Sequence, residues 1–433
     1  MKQSALQLTS KKIANTLYVF FAVIFFIQTN SFATTFIKND SLTFKQFKGV
    51  VIDAKSKKEL VFATITVNET NISTITNTNG EFLLKIPKIN LYHKITVTFL
   101  GYTSQVINIQ DLKEENNTIK LETYIEELSA IQIEVKDANS LVKQVMLKRK
   151  DNYISNHMEM VAFYRETIKK RRSYISLSEA VVEIYKQPYT SLRNDILKLY
   201  KARKSTDYEK LDTITFKLQG GPFSTLHLDV MKNPELVFTD NLTENYNFKM
   251  EPPTKIDHKK IYVVSFVQKP HIKEPYYYGK LYIDAQSLAL TNATFQLNLS
   301  DIEEAARLFI VKKPNRATVT PIEATYHVDF RQKNGKWYYG YSRIELGFKI
   351  NYDKKLFNSI YHLTMEMAVT DWELSEDGTS IKFKERLSSS AILSDEVSGF
   401  SDPEFWGEYN VIEPEKPIES AIKKIQKQLE KDN

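Results

Sequence analysis

The sequence predicts an all-β-dominated protein, in which a small N-terminal β-sandwich precedes one large curved antiparallel sheet with a few packing helices. Three observations point there. Short runs rich in Val, Ile, Thr and Phe recur at close spacing between Phe47 and Ile109, the pattern of a small sandwich. Hairpin-like pairs of runs then fill most of the chain from His157 to about Leu387. Aromatic residues make up 12%, with 24 Tyr and 25 Phe, side chains that favour pleated, half-buried surfaces. At 433 residues there is room for two or three domains, each with its own core.

The sandwich runs are Gly49 to Ile52, Ala63 to Val67, Phe82 to Ile86, Ile95 to Phe99 and Val106 to Ile109. Ile95, Val97 and Phe99 fall two apart, so one face of that strand is expected to be buried. Asn77, Asn79 and Gly80 supply turn chemistry, because Asn and Gly tolerate positive φ.

Three marks in this stretch resemble the carboxypeptidase regulatory-like domain, a transthyretin-like sandwich. They are the opening Gly49-Val50-Val51-Ile52-Asp53, the turn Thr76-Asn77-Thr78-Asn79-Gly80-Glu81-Phe82, and the closing Phe99-Leu100-Gly101-Tyr102. The resemblance implies an accessory module of the gram-negative envelope. It implies no peptidase activity, because in the carboxypeptidases this sandwich stands beside the catalytic domain.

The N-terminus reads as a secretory signal over residues 1–33. Lys11 and Lys12 precede an 11-residue apolar run, Leu17 to Ile27, and then Ser31-Phe32-Ala33. The run is short for a membrane span, and a retained anchor is the alternative. Cysteine is absent, which removes disulfides, thiol catalysis, thiolate metal sites and a lipid-modified cysteine together. Net charge is +6. With Lys2, Lys11 and Lys12 set aside, 56 basic residues face 53 acidic ones, too even a balance for a nucleic-acid partner. The expectation is a periplasmic or outer-membrane-associated protein.

A sandwich over residues 34–136 would end in a strand through Ile131, Ile133 and Val135. The second domain, residues 137–433, then opens with a helix from about Ser140 to Asn152, capped by Asn139 or Ser140. Leu141, Val142, Val145 and Met146 form its apolar stripe. Phe163-Tyr164-Arg165-Glu166 begins a long strand that returns as Ser178 to Tyr185, around a basic tip at Lys169 to Arg172. Tyr278 to Asp284 pairs with Leu288 to Leu297, and Ile322 to Arg331 pairs with Trp337 to Ile350 across Asn334-Gly335, a hairpin dipeptide. Ser359 to Asp371 extends the sheet.

This half resembles an envelope domain of unknown function that accompanies the regulatory-like sandwich. The motifs are FYRE at Phe163 to Glu166, SEAVVEIYKQPY at Ser178 to Tyr189, YYGKLYID at Tyr277 to Asp284, and Phe405 to Ile425. The GKLYID hairpin is also similar to hairpins of half-barrel lipoprotein carriers. A C-terminal helix is expected from Pro417, with Ile418, Ile422, Ile425 and Leu429 on one stripe.

Few residues suggest chemistry. His271-Ile272-Lys273-Glu274 matches the zinc-carboxypeptidase HxxE, but it lies between two prolines with no evident third ligand. Ser224, His227 and Asp229 follow Gly220-Gly221-Pro222. Strand alternation would put His227 and Asp229 on one face, without a nucleophile elbow. The acidic stretch Ser394 to Tyr409 lacks calcium-loop spacing. No phosphate-binding or dinucleotide loop occurs, so neither cofactor nor metal is expected, and no catalytic residue is assigned.

The first reading is therefore a non-catalytic binding or adaptor protein, with an envelope ligand or protein partner and scope for peripheral contact with the outer membrane. The alternatives are a periplasmic hydrolase using His227 and Asp229 or the His271–Glu274 loop, and a purely structural scaffold. Any ligand pocket is expected in the second domain, walled by Tyr276, Tyr278, Tyr282, Trp337, Tyr339 and Tyr341.

Overall fold

The computed structural model describes residues 43–124, 137–171, 173–206, 221–238, 242–256, 258–309, 317–353, 358–375, 381–391, 393, 405–415, 418 and 420. The expected signal segment, the strand through Ile131 to Val135, Pro417 and most of the helix after it, and residues 394–404 of the acidic stretch lie outside the described residues.

Seven strands build the sandwich: β1 (Phe44–Asp53), β2 (Thr64–Val67), β3 (Ser73–Ile75), β4 (Glu81–Pro87), β5 (Lys94–Thr98), β6 (Gln105–Asn108) and β7 (Asn117–Leu121). They form two sheets, ordered β4-β1-β7 and β3-β2-β5-β6. Between the sheets lies a core that includes Phe47, Val51, Ile65, Phe82, Leu84, Ile95 and Val97, all fully buried. The turn before β4 is built as its residues require. Gly80 takes φ +69°, and Asn77 Oδ1 accepts from the Asn79 and Glu81 N–H groups at 2.9 Å each.

Two short helices follow, α1 (Ala138–Leu147) and α2 (Arg149–Asn152). The cap of α1 is Asp137, two or three residues earlier than expected: its carboxylate accepts from Ser140 N at 3.0 Å and Ser140 Oγ at 2.9 Å. Leu141, Val142 and Val145 turn inward as the stripe predicted.

The large sheet holds β8 (His157–Lys170), β9 (Ser173–Lys186), β10 (Ile196–Thr206), and, after α3 (Pro222–His227) and α4 (Leu242–Asn245), β11 (Tyr246–Ile256), β12 (Lys259–Gln268), β13 (Tyr277–Asp284) and β14 (Leu290–Leu297). It continues through α5 (Ile302–Phe309) to β15 (Ala317–Lys333), β16 (Lys336–Tyr352) and β17 (Ser359–Ser375). All ten strands are antiparallel neighbours in the order β10-β9-β8-β17-β16-β15-β14-β13-β12-β11. The β15–β16 tip is the expected one, with Asn334 at φ 51° and Gly335 at φ 77°.

This order leaves β10 and β11 at opposite edges, so the chain between them must cross the sheet. Leu226, Leu228, Met231 and Phe238 of that crossing are buried, with α1, against Met160, Val182, Met367, Phe330 and Phe295 of the sheet. We call this the inner face. The other, outer face carries Phe163, Val181, Tyr341 and Ala368, packed against Ile75 and Leu83 of the sandwich and Trp406, Val411 and Ile412. Sandwich and sheet lie within one compact unit, Phe44–Asn433. Ile418 packs on Leu177, on the outer face of the sheet.

Segment 405–415 ties the sandwich to the sheet. Asn410 bonds both polar atoms of the Lys85 backbone, on the free edge of β4, at 2.7 and 2.9 Å. Glu415 accepts from sandwich Thr78 at 2.5 Å and from Tyr174 of β9 at 3.1 Å.

Candidate functional site

The six aromatics expected to wall a pocket do not share one wall. Trp337 and Tyr339 are buried in the inner core, and Tyr341 is buried on the outer face. The cause is a bulge: Asp329 pairs Tyr341 while Phe330 pairs Tyr339. The extra residue, Gly340, reverses the alternation. Tyr276 packs tilted against Tyr246 at the inner edge, at 6.0 Å between centroids. Tyr278 is largely exposed and bonds Gln296. Tyr282 is half-buried in register with Asn292, itself in register with Asp329. Burial, with Asp329 nearby, raises its phenol pKa.

The expected His227–Asp229 strand is a correction. Pro222 fixes the first helical residue, so Ser224 and His227 sit on α3, and His227 is exposed. Asp229 is wholly buried and held by Lys186 at 2.7 Å and by the Tyr189 hydroxyl at 2.8 Å. The His271–Glu274 loop is exposed at both named residues, and Gln268 donates to its Ile272 and Glu274 carbonyls at 2.8 Å each. Among the described residues no group of three His, Asp or Glu side chains is placed to hold a metal ion.

Two charge clusters, neither anticipated as a site, shape the sheet. The first is a row in strict register, Arg203–Glu179–Arg165–Glu366–Arg343–His327–Thr294, running across seven strands of the outer face. Arg165 Nε meets Glu179 at 2.8 Å, Arg203 Nη2 meets the same carboxylate at 2.7 Å, and Arg343 meets Glu366 at 2.9 Å. Arg165 also donates to the Ile412 carbonyl at 2.7 Å. Burial pushes the Glu179 pKa up, but the two arginines outweigh it and hold the carboxyl below its usual range. At the end of the row, Thr294 Oγ1 is 2.9 Å from His327 Nδ1, and His327 Nε2 is 2.8 Å from Asp329. That line resembles a relay. It lies on the outer face under Phe62 of the sandwich, whose ring centre is 5.7 Å from that of the imidazole.

The second cluster sits beneath a cleft. Lys186, 1% exposed, lies between Asp195 at 2.6 Å and Asp229 at 2.7 Å. Burial draws the ammonium pKa down, and the two carboxylates together more than reverse that. Asp195 also accepts from Gln187 N at 2.7 Å, while Lys232 donates to Pro188 O and Ser191 O at 2.9 and 2.6 Å. Loop 187–195 is thus clamped from both ends and acts as a fixed wall.

Against this wall opens a cleft of about 890 Å³, at the end of the sheet where β8 starts, β9 ends, β10 starts and β17 ends. Met158, Ile196, Phe223 and Leu387 give it apolar surface, and Asn194, Gln187, Ser388 and Ser389 give it neutral polar groups. Arg193 and Arg386 also line it. Arg386 is oriented by bonds to the Ile381 carbonyl at 3.2 and 3.1 Å. The volume falls in the range of small-molecule sites, although polar residues outnumber apolar ones in the lining.

The charge row had one legible signal. Folding FYRE and SEAVVE about the 171–172 tip sets Arg165 opposite Glu179. The cleft had none, since its walls come from segments more than 150 residues apart.

Residues 47–152 match the CarboxypepD_reg-like domain. No curated protein matches the chain. Three solved structures align with just over half of this chain. A DUF1329 family protein from Desulfovibrio piger aligns over 57% of this chain and 96% of its own, with 9% identity and a TM-score of 0.25. A LolA superfamily protein from Nitrosomonas europaea covers 56% and 95%, with 11% identity and a TM-score of 0.21. Lipovitellin, in a structure titled for its lipid–protein interactions, covers 54% and 27%, with 8% identity and a TM-score of 0.25. Among the described residues no helix is long and apolar enough to cross a membrane.

Proposed function

We propose that this chain is a non-catalytic binding protein of the cell envelope, with its ligand site in the cleft between loop 187–195 and segment 381–391. The observation that carries the reading is the clamped cleft wall. A site whose wall is already ordered loses little conformational entropy when a ligand enters. The regulatory-like sandwich then acts as a brace: it covers the charge row and leaves the cleft open. Support for the envelope comes from the basic and apolar run Lys11 to Ile27.

The ligand test is a thermal-shift screen of the full chain against envelope lipids, glycans and peptides, repeated with Ser389→Trp. Ser389 is exposed on the cleft wall, so the indole fills the cleft without disturbing the core. Compounds that raise the wild-type Tm should leave the variant unmoved. Equal stabilisation of both proteins places the site elsewhere and removes this reading.

A further inference from the structure

The two most exposed large apolar side chains among the described residues are Leu192, 99% exposed, and Phe383, 87% exposed. They come from segments nearly two hundred residues apart, yet both belong to the rim of the same cleft. Phe383 lines it, and Leu192 precedes Arg193 and Asn194, which line it too. A large exposed apolar side chain is common singly, but a convergent set marks an interaction surface.

The exposed charges beside Leu192 and Phe383 are mostly basic, although Glu159 also lines the cleft. Phe383 stands between Lys382 and Lys384, with Arg386 next in line, and Leu192 is followed by Arg193; all are exposed. Glu385 is the one acid within the 382–386 turn, and Asp195 on the facing loop is consumed by Lys186. We infer that this rim is a docking surface for an anionic lipid bilayer. Leu192 and Phe383 enter the headgroup–acyl boundary, and Lys382, Lys384, Arg193 and Arg386 meet the lipid phosphates. A basic collar around apolar tips complements an anionic membrane on both counts. A second copy of this chain would have to bring equally basic rims together. The arrangement would place the cleft mouth at the membrane surface, and it stands whether or not the cleft proves to be the ligand site.

The test uses the full chain and flotation with two kinds of vesicle, phosphatidylglycerol mixed with phosphatidylethanolamine, and phosphatidylcholine alone. Binding to the anionic vesicles is expected, weakened by added salt as surface charges are screened. Leu192→Ser with Phe383→Ser should lower it on the order of tenfold or more, and so should Lys382→Glu with Lys384→Glu. In Phe383→Trp, indole emission should shift to the blue only with anionic vesicles, and brominated acyl chains should quench it. All these side chains are exposed, so unchanged melting will show that the variants fold. Three results overturn the inference: no flotation, equal flotation with phosphatidylcholine, or anionic binding that the serine variants leave intact. A wild-type oligomer that the serine variants convert to monomer also overturns it, because the rim is then a contact between copies.

Discussion

Arg165 and Glu166 are neighbours in the chain and belong to opposite sides of the ten-stranded sheet. Arg165 lies on the outer face, 2% exposed, within a row where each charge faces its opposite on the next strand. Glu166 lies on the inner face, 5% exposed, with the Tyr164 hydroxyl at 2.8 Å and no cation paired to it among the described residues. Burial pushes its pKa up to about 7, against the smaller opposing effects of hydrogen bonds. Burial depth is nearly the same in both, so pairing alone separates them. The outer face admits buried charge because five consecutive positions alternate in sign, whereas Glu166, without such a partner, is held closer to neutral.

Breaking the row should give the largest effect. Arg165→Met leaves Glu179 and Glu366 short of a cation in a buried setting and should destabilise by about 3–5 kcal/mol, read as a lower urea midpoint. Replacing Arg165, Glu179 and Glu366 together with apolar residues should cost much less, because no charge is then left unpaired. If the single and triple variants lose equally, packing rather than pairing governs the row.

Glu166 should give the next effect, and only with pH. Its folded pKa, about 7, exceeds the ordinary 4.5, so between those values the unfolded chain binds fewer protons than the folded one. Stability is then full below about pH 4.5 and falls as pH rises to about 7. The loss is on the order of 3 kcal/mol for a shift of this size. Glu166→Gln keeps an acceptor for Tyr164 and should flatten the profile across that window. A profile that Glu166→Gln leaves unchanged would assign the slope to another group.

These two neighbours also show what the sequence could and could not reveal. Alternation along FYRE was readable, and so was the tip that pairs it with SEAVVE. The Asn334-Gly335 hairpin and the sandwich were readable because positive φ and β-branched runs leave local marks. What was lost depended on distance or on one inserted residue. Gly340 turns Tyr341 away from Tyr339, and an alternation count runs straight through it. Ser224 to Asp229 read as strand because Pro222 starts too short a helix to show a period. The cover of the inner face comes from the β10–β11 crossing, whose course follows from strand order and from nothing local. The cleft likewise needs walls that only the folded sheet brings together.

The contrast between paired and unpaired groups extends to the sandwich. Asn410 satisfies both backbone atoms of Lys85 on an edge strand. Asn410→Ala should cost about 1–2 kcal/mol, since two buried backbone groups lose their partner. Amide exchange should then rise at Lys85 and in segment 405–415 before it rises elsewhere. Exchange that rises evenly across the sheet would mean the segment does not open separately.

The smallest effect should come from an ion pair that resembles the buried ones in distance alone. Lys198 of β10 meets Glu183 of β9 at 3.0 Å, with side chains 31% and 26% exposed. Lys186 of the same hairpin meets Asp195 at 2.6 Å, with side chains 1% and 6% exposed. Water screens the first pair and ordering two long side chains offsets much of its attraction, so Lys198→Met should change stability by no more than about 0.5 kcal/mol. The small change should vanish in high salt. Lys186→Met instead strands Asp195 and Asp229 in a buried site and should approach the loss expected for Arg165→Met, largely independent of salt. If the two lysine variants match, exposure is not what separates the pairs, and the argument from pairing fails for the whole sheet.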